Sequence, residues 1–474
     1  MNSKLEKLKQ HKEITGATLF VISTFFQRGL SLITTPLYTR ILTSYDYGIV
    51  STYNTWSGIL SVIFTLSIAA NAFNTGLIKF KENRKSFVGN MIVLTAFLNS
   101  LGFIIVTIFR DPVEKFSGIS YKFFAVLFIN MFCDVVYGFW GLCAKFDNQY
   151  VKVVVANLTL TILSIILTFT AIINIDYDAA FVKIIAGSIL NCLFAVFIAI
   201  KYIVEAKNVF LWKYWKYALT FCLPLIPHYM SNHLLNQADR IMITSMCGAE
   251  KTGIYTIAYK MPEILNICWS CVSAVYVPWL YKKLDVGADK EIKKINSIIL
   301  GSISIITMGI ILLGPEVIWV LAPPEYQEGK YLIPAMVTGY YGLFFCLICS
   351  HIELFYKKNY FITIITVIAA LTNITLNYVF IPKYGYEVAA YTTYIGYTIM
   401  LLLHIFNIVR LKLNKYINLK LVFAFFVINS LIGICMLYVY DHIIIRYIIL
   451  LIILIVCLSQ YKKIIRFFKI LKEN

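Results

Sequence analysis

The chain has 474 residues, 60% hydrophobic and 14% charged, with a mean hydropathy of +0.77, which is more apolar surface than a soluble fold can hide. Its formal net charge of +18, from 42 Lys and Arg against 24 Asp and Glu, would suit a nucleic acid only if gathered on one folded basic surface. The basic residues sit instead in short gaps between apolar stretches, which argues against a nucleic-acid partner and for an all-α polytopic membrane protein.

Fourteen stretches are long enough to cross a hydrocarbon core of about 30 Å, which takes roughly 20 helical residues. Spans 1 to 7 are expected at 14–37, 48–75, 87–109, 121–143, 151–173, 181–200 and 218–247. Spans 8 to 14 follow at 253–280, 295–314, 331–356, 360–381, 387–409, 419–440 and 443–460. Span 1 is too long for a signal-peptide core and lacks a small-residue cleavage site after it, so it is expected to direct insertion itself. The gaps leave no room for a soluble domain on either side.

Thirty of the 42 basic residues lie in every second gap, from Lys4, Lys7, Lys9 and Lys12 to the tail Lys462 to Lys472, and give those gaps a net charge of +21. The alternate gaps, with nine basic residues in or beside them, carry −2. Basic loops stay on the cytoplasmic side, so both termini are expected there, as an even number of spans requires. Lys213-Tyr214-Trp215-Lys216-Tyr217 reads as part of an interfacial aromatic belt on that face.

All eleven cysteines lie in or at the ends of spans, where sulfur packs as a small hydrophobe. The pairs Cys268/Cys271 and Cys346/Cys349 have metal-site spacing but no second pair or histidine to complete a set, so no metal and no resident cofactor is expected. No P-loop, G-x-S-x-G or zinc signature is present, and the chain is not expected to be an enzyme. Pro224 and Pro227 in span 7, and Pro262 and Pro278 in span 8, are expected to bend those helices and free carbonyls within the membrane.

Two internal matches suggest a duplicated unit. Thr39-Arg40-Ile41-Leu42-Thr43 leading to Gly48-Ile49-Val50-Ser51 is echoed by Asp239-Arg240-Ile241-Met242-Ile243 leading to Gly253-Ile254-Tyr255-Thr256. Asp176-Tyr177-Asp178-Ala179-Ala180-Phe181 is echoed by Tyr386-Glu387-Val388-Ala389-Ala390-Tyr391. The expected organisation is a six-helix lobe at 1–210, a second at 211–412, and two further helices with a basic tail at 413–474.

The segment Pro36-Leu37-Tyr38-Thr39-Arg40-Ile41-Leu42-Thr43 with Tyr45-Asp46-Tyr47-Gly48 resembles the signature after the first span of Wzx-type polysaccharide flippases, members of the multidrug/oligosaccharidyl-lipid/polysaccharide exporter superfamily. Asp239-Arg240, Gly253-Ile254-Tyr255 and Ala258-Tyr259 are similar to that family's seventh and eighth spans. Asn373, Asn377, Ile381-Pro382, Tyr384-Gly385 and Ala389-Ala390 resemble its eleventh and twelfth. The resemblance implies two lobes around a central cavity that opens to each side in turn. It also implies a cargo, a polyprenyl-diphosphate-linked oligosaccharide for O-antigen or capsule assembly, carried across the bacterial inner membrane. A polysaccharide polymerase and chain-length machinery would be its partners.

An ionisable residue in mid-span costs roughly 2.5–3.5 kcal/mol and asks for a partner or a wet cavity. Seven such residues occur: Arg28, Asp134, Asp239, Arg240, Lys260, Glu263 and Glu353. In the arrangement the resemblance implies, Arg28, Arg240 and Lys260 would bind the diphosphate, two as guanidinium forks and one as a point charge. Asp134, Asp239, Glu263, His351 and Glu353 are the coupling-ion or charge-pair candidates, for proton or sodium. Ion pairing inside the protein is the competing reading: Lys260 with Glu263 at i, i+3, and Arg28 with Asp134 at long range. A multidrug or organic-cation exporter, which would prefer an acidic cavity, and a membrane-embedded polymerase or glycosyltransferase, which would need a sizeable catalytic loop, are the alternative functions.

Overall fold

The computed structural model describes residues 32–206 and 208–459, with Ser23, Phe26, Gln27, Gly29 and Leu30. The described residues form helices and turns with no strand. Among the described residues, ten helices are long and apolar enough to cross a bilayer. Six of them are α4 (Arg84–Ile108), α6 (Tyr121–Phe146), α7 (Tyr150–Asn174), α8 (Ala179–Glu205), α12 (Lys260–Asp285) and α13 (Asp289–Leu312). The other four are α15 (Ile333–Phe355), α16 (Asn359–Tyr384), α17 (Val388–Arg410) and α18 (Leu419–Val439). Interleaved with them are α1 (32–41), α2 (Ser44–Phe64), α3 (Ala72–Lys79), α5 (Arg110–Ser117), α9 (Trp212–Cys222), α10 (Ile226–Cys247), α11 (Ala249–Ala258), α14 (Gly314–Leu321) and α19 (Ile443–Ser459). The chain divides into two compact units, Met1–Glu250 and Lys251–Asn474.

Three expected spans are interrupted. Span 2 splits into α2 and α3 at residues 65–71, where Leu66 (φ 52°) and Ser67 (φ 45°) take left-handed backbone that ends the helix. The carbonyls freed there find donors, since Asn99 Nδ2 reaches the Phe64 carbonyl at 3.3 Å and Asn71 Nδ2 the Ser67 carbonyl at 3.1 Å. Span 7 splits into α9 and α10 around a 3-10 turn at Leu223–Leu225, where Pro224 and Pro227 remove two amides. Span 8 splits at Tyr259, because Pro262 has no amide to offer the Ala258 carbonyl that ends α11.

The Thr43-to-Gly48 part of the signature motif starts α2 with a capping box: Thr43 Oγ1 accepts from the Asp46 amide at 3.1 Å, and Asp46 Oδ2 from the Thr43 amide at 3.3 Å. Arg40 Nη1 donates to the Pro36 carbonyl at 2.8 Å and ties down the end of α1.

In the first unit one core stacks Phe73 on Phe139 with ring centroids 4.1 Å apart, and Phe87 and Tyr214 pack around them. A second core gathers Ile49, Tyr53, Phe124, Leu127 and Phe128. Gly102 lets α4 close on both Phe64 and Phe128; a Cβ there would lie 2.7 Å from each ring. Gly102→Ala is therefore expected to cost about 1–3 kcal/mol through overpacking, read as a lower thermal midpoint in detergent with the helix content unchanged.

In the second unit α15 is central, with most of its side chains buried, and packs on α12, α13, α17 and α18. Arg446 on α19 grips Glu316 of α14 with two hydrogen bonds of 2.6 and 2.8 Å and also reaches the Leu312 carbonyl. The outward faces carry large exposed apolar side chains such as Ile166, Phe197, Phe406 and Ile434, as a surface in contact with hydrocarbon requires.

Candidate functional site

A polar groove of about 370 Å³ opens among the membrane-spanning helices of the first unit. One wall is α7, which turns Asn157, Thr161, Ser164 and Thr168 to the groove. Spacings of four, three and four put those side chains on one stripe. Gln27 and Tyr38 near the first span, Tyr137 from α6 and Asn191 from α8 add polar groups to the lining, which also includes Leu160, Ile165 and Gly187. The groups hold one another in place: Gln27 Nε2 donates to Thr161 Oγ1 at 3.2 Å, and the Tyr137 hydroxyl donates to Asn157 Oδ1.

Asp134 lies beside this groove, halfway along the 26-residue α6, and accepts a hydrogen bond from Asn191 Nδ2 at 2.7 Å. One turn earlier Asn130 donates to the Tyr53 hydroxyl at 2.8 Å and accepts from Cys192. The site offers amides, hydroxyls, aromatic faces and one carboxylate. Such a set can hydrogen-bond a polyol; covalent chemistry would need a nucleophile and base that these contacts do not assemble.

A second polar line runs where α2 meets α10. Gly58 is the point of close approach, since a Cβ there would sit 3.1 Å from His233 Nδ1. Thr52 and Thr244 share a hydroxyl hydrogen bond, and the Tyr229 hydroxyl donates to Asn71 Oδ1 at 2.8 Å beside the break between α2 and α3. Asp239 and Arg240 are buried in α10, 2% and 9% exposed, and the Arg240 carbonyl accepts from Thr244 Oγ1. Arg28 lies outside the described residues.

In the second unit Lys260 and Glu263 form the ion pair that their spacing allows, at 2.7 Å. Glu353 is fully buried in α15, and its partners come from α17. Asn407 Nδ2 donates to Glu353 Oε1 at 2.7 Å, and His404 Nδ1 lies 3.3 Å from both carboxylate oxygens. Arg410, exposed at the end of α17, donates to Asn407 Oδ1 at 2.8 Å. His351 takes no part in this cluster: it stacks on Trp269, ring centroids 5.9 Å apart, two residues and roughly 200° around the helix from Glu353. Asn373, Asn377, Thr392 and Thr393 make a further buried network between α16 and α17. Cys346 and Cys349 are fully buried packing residues next to the same carboxylate.

Sequence reasoning overlooked His404, Asn407 and the α7 stripe. The stripe had a readable signal in its helical spacing; His404 and Asn407, on another span, had none that tied them to Glu353.

Membrane-length helices, interrupted spans and grooves lined with polar side chains define a multi-pass all-helical membrane architecture. Solved structures share it: the lipid II flippase MurJ in an inward closed conformation covers 94% of this chain and all of its own, with a TM-score of 0.66 at 16% identity. An inward-facing multidrug resistance MATE family transporter of the MOP superfamily covers 84% of this chain and 99% of its own, with a TM-score of 0.59 at 13% identity. An uncharacterized membrane protein of Methanocaldococcus jannaschii is 24% identical over 447 residues, 87% of each chain. The model of the polysaccharide biosynthesis protein family matches residues 14–283, and the chain belongs to that family.

Proposed function

We propose that this protein is a flippase that carries a polyprenyl-diphosphate-linked oligosaccharide from the inner to the outer leaflet of the bacterial inner membrane, for assembly of a surface polysaccharide. The observation that carries the reading is the uncharged hydroxyl and amide stripe of α7, with Tyr38, Tyr137 and Asn191, at membrane depth. Polar side chains there are costly unless they serve a polar cargo or one another, and this groove leaves room for a cargo. Sugar hydroxyls match such donors and acceptors, and the aromatic rings offer faces for pyranose C–H groups. Arg28, next along the chain from the groove residue Gln27, is the proposed diphosphate ligand, with Arg240 in support; Lys260 is the weakest of the three because Glu263 neutralises it. The polyprenyl tail stays in lipid while the glycan takes the polar path. The two six-helix lobes of the sequence repeat supply the alternating access.

In an inside-negative membrane each anionic charge moved outward gains roughly 2.3 kcal/mol per 100 mV, which favours release on the outer side. Return to the inward-open state is assigned to a coupled proton or sodium ion, with Glu353 and Asp134 as carriers. The product feeds a polymerase and its chain-length machinery.

Asp134 also favours a second reading, an exporter of organic cations, since a carboxylate bonded to the groove residue Asn191 attracts a cation to a groove whose lining is otherwise uncharged. Depleting the protein and locating the lipid-linked intermediate by leaflet separates these functions. The flippase reading expects the intermediate to accumulate on the cytoplasmic-facing leaflet. Normal appearance of the intermediate on the outer face would refute it.

A further inference from the structure

A second cavity of the first unit, about 460 Å³, lies where the ends of α4, α6 and α8 meet the start of α7. The charge asymmetry of the loops assigns this face to the cytoplasm. Its polar side holds Arg84, Lys85, Lys152 and Lys201 against Asp147 and Glu205, an excess of two positive charges. The two acids are already engaged. Arg84 clasps Asp147 with bonds of 2.6 and 3.3 Å and also donates to the Cys143 carbonyl, and Lys85 lies 3.2 Å from Glu205. Lys152 and Lys201 are exposed and have no ion pair among the described residues. The other side of the cavity is apolar: Phe194 packs edge-on against Trp140 at 5.1 Å, and Phe197, 67% exposed, turns its ring toward the hydrocarbon.

We propose that this cavity binds an anionic phospholipid of the cytoplasmic leaflet, its headgroup phosphate held by Lys152 and Lys201 and an acyl chain lying along Phe194 and Phe197. Free inorganic phosphate would satisfy the two lysines but would leave the aromatic wall against water. A zwitterionic headgroup would bring a positive charge into a cavity that already has an excess of it. The bound lipid would bridge α7 to α8 across a gap that the chain itself does not close with an ion pair, and so would stiffen the cytoplasmic end of the unit. The site is separate from the α7 stripe and does not depend on the cargo.

The test uses the full-length protein in neutral detergent, with phosphatidylglycerol, phosphatidylcholine or inorganic phosphate added, read by native mass spectrometry and thermal midpoint. Phosphatidylglycerol is expected to form a retained adduct and raise the midpoint; phosphatidylcholine and phosphate are not. The Lys152→Gln/Lys201→Gln variant is expected to bind phosphatidylglycerol roughly thirtyfold more weakly, as two lysines at about 1 kcal/mol each imply. Lys293→Gln/Lys294→Gln, which removes the same charge from exposed positions on α13, is expected to bind as wild type does. Equal weakening by both variants, undiminished binding in the first, or a matching shift with phosphate alone would each overturn the proposal.

Discussion

Glu353→Ala is expected to be the most destabilising single substitution in the second unit, by about 2–5 kcal/mol, the range for truncating a large buried side chain and leaving its hydrogen-bond partners unpaired. Glu353 and His404 are both fully buried, so no water replaces the missing carboxylate. Asn407 Nδ2 would lose its acceptor and His404 Nδ1 its carboxyl partner in the middle of the strongest helix contact of the unit, α15 against α17. Glu353→Gln keeps the volume and one acceptor oxygen, so it should fold with a thermal midpoint close to wild type. It cannot take up a proton in the working range, and transport by it should therefore lose its dependence on a proton gradient. A Gln variant that folds and still responds to the gradient would move the coupling role to Asp134.

The second large effect concerns the cations. Arg28→Ala is expected to lower transport by about 10- to 100-fold, the equivalent of one charged hydrogen-bond set at roughly 1.5–3 kcal/mol. Lys260 behaves differently. Lys260→Ala alone strands Glu263, whereas Lys260→Ala/Glu263→Ala removes both ends of the 2.7 Å pair and should restore most of the activity lost by the single change. Transport assays of the three variants in one background, normalised to protein level, check this. Full activity of Arg28→Ala would remove that residue from the site, and a double variant no better than Lys260→Ala would give Lys260 a role beyond its ion pair.

Much of the fold was legible because bilayer thickness sets helix length. The spans expected at 121–143, 151–173 and 181–200 are the helices Tyr121–Phe146, Tyr150–Asn174 and Ala179–Glu205. Pro224, Pro227 and Pro262 marked the interruptions of spans 7 and 8, since a missing amide is a local property of the residue, whereas Pro278 lies inside the continuous helix α12. The break in span 2 carried no such mark: residues 65–71 contain neither Gly nor Pro, and the Phe64 carbonyl at the break accepts from Asn99 of another helix. The Lys260–Glu263 pair was legible because one turn of helix sets its distance. His351 and Glu353 were both candidates on one span, but residues two apart on a helix face different ways. The partner of Glu353 comes from α17, a contact made by packing. The groove stripe was within reach of the sequence, as a polar row at helical spacing in an apolar helix.

The most direct measurement is transbilayer movement in reconstituted vesicles. A fluorescent polyprenyl-diphosphate oligosaccharide, placed in one leaflet and probed with an impermeant quencher, should cross faster with the wild-type protein than in protein-free or Arg28→Ala vesicles. No acceleration by the wild type, together with movement of a lipophilic cationic dye through the same vesicles, would contradict the account and support the cation exporter instead.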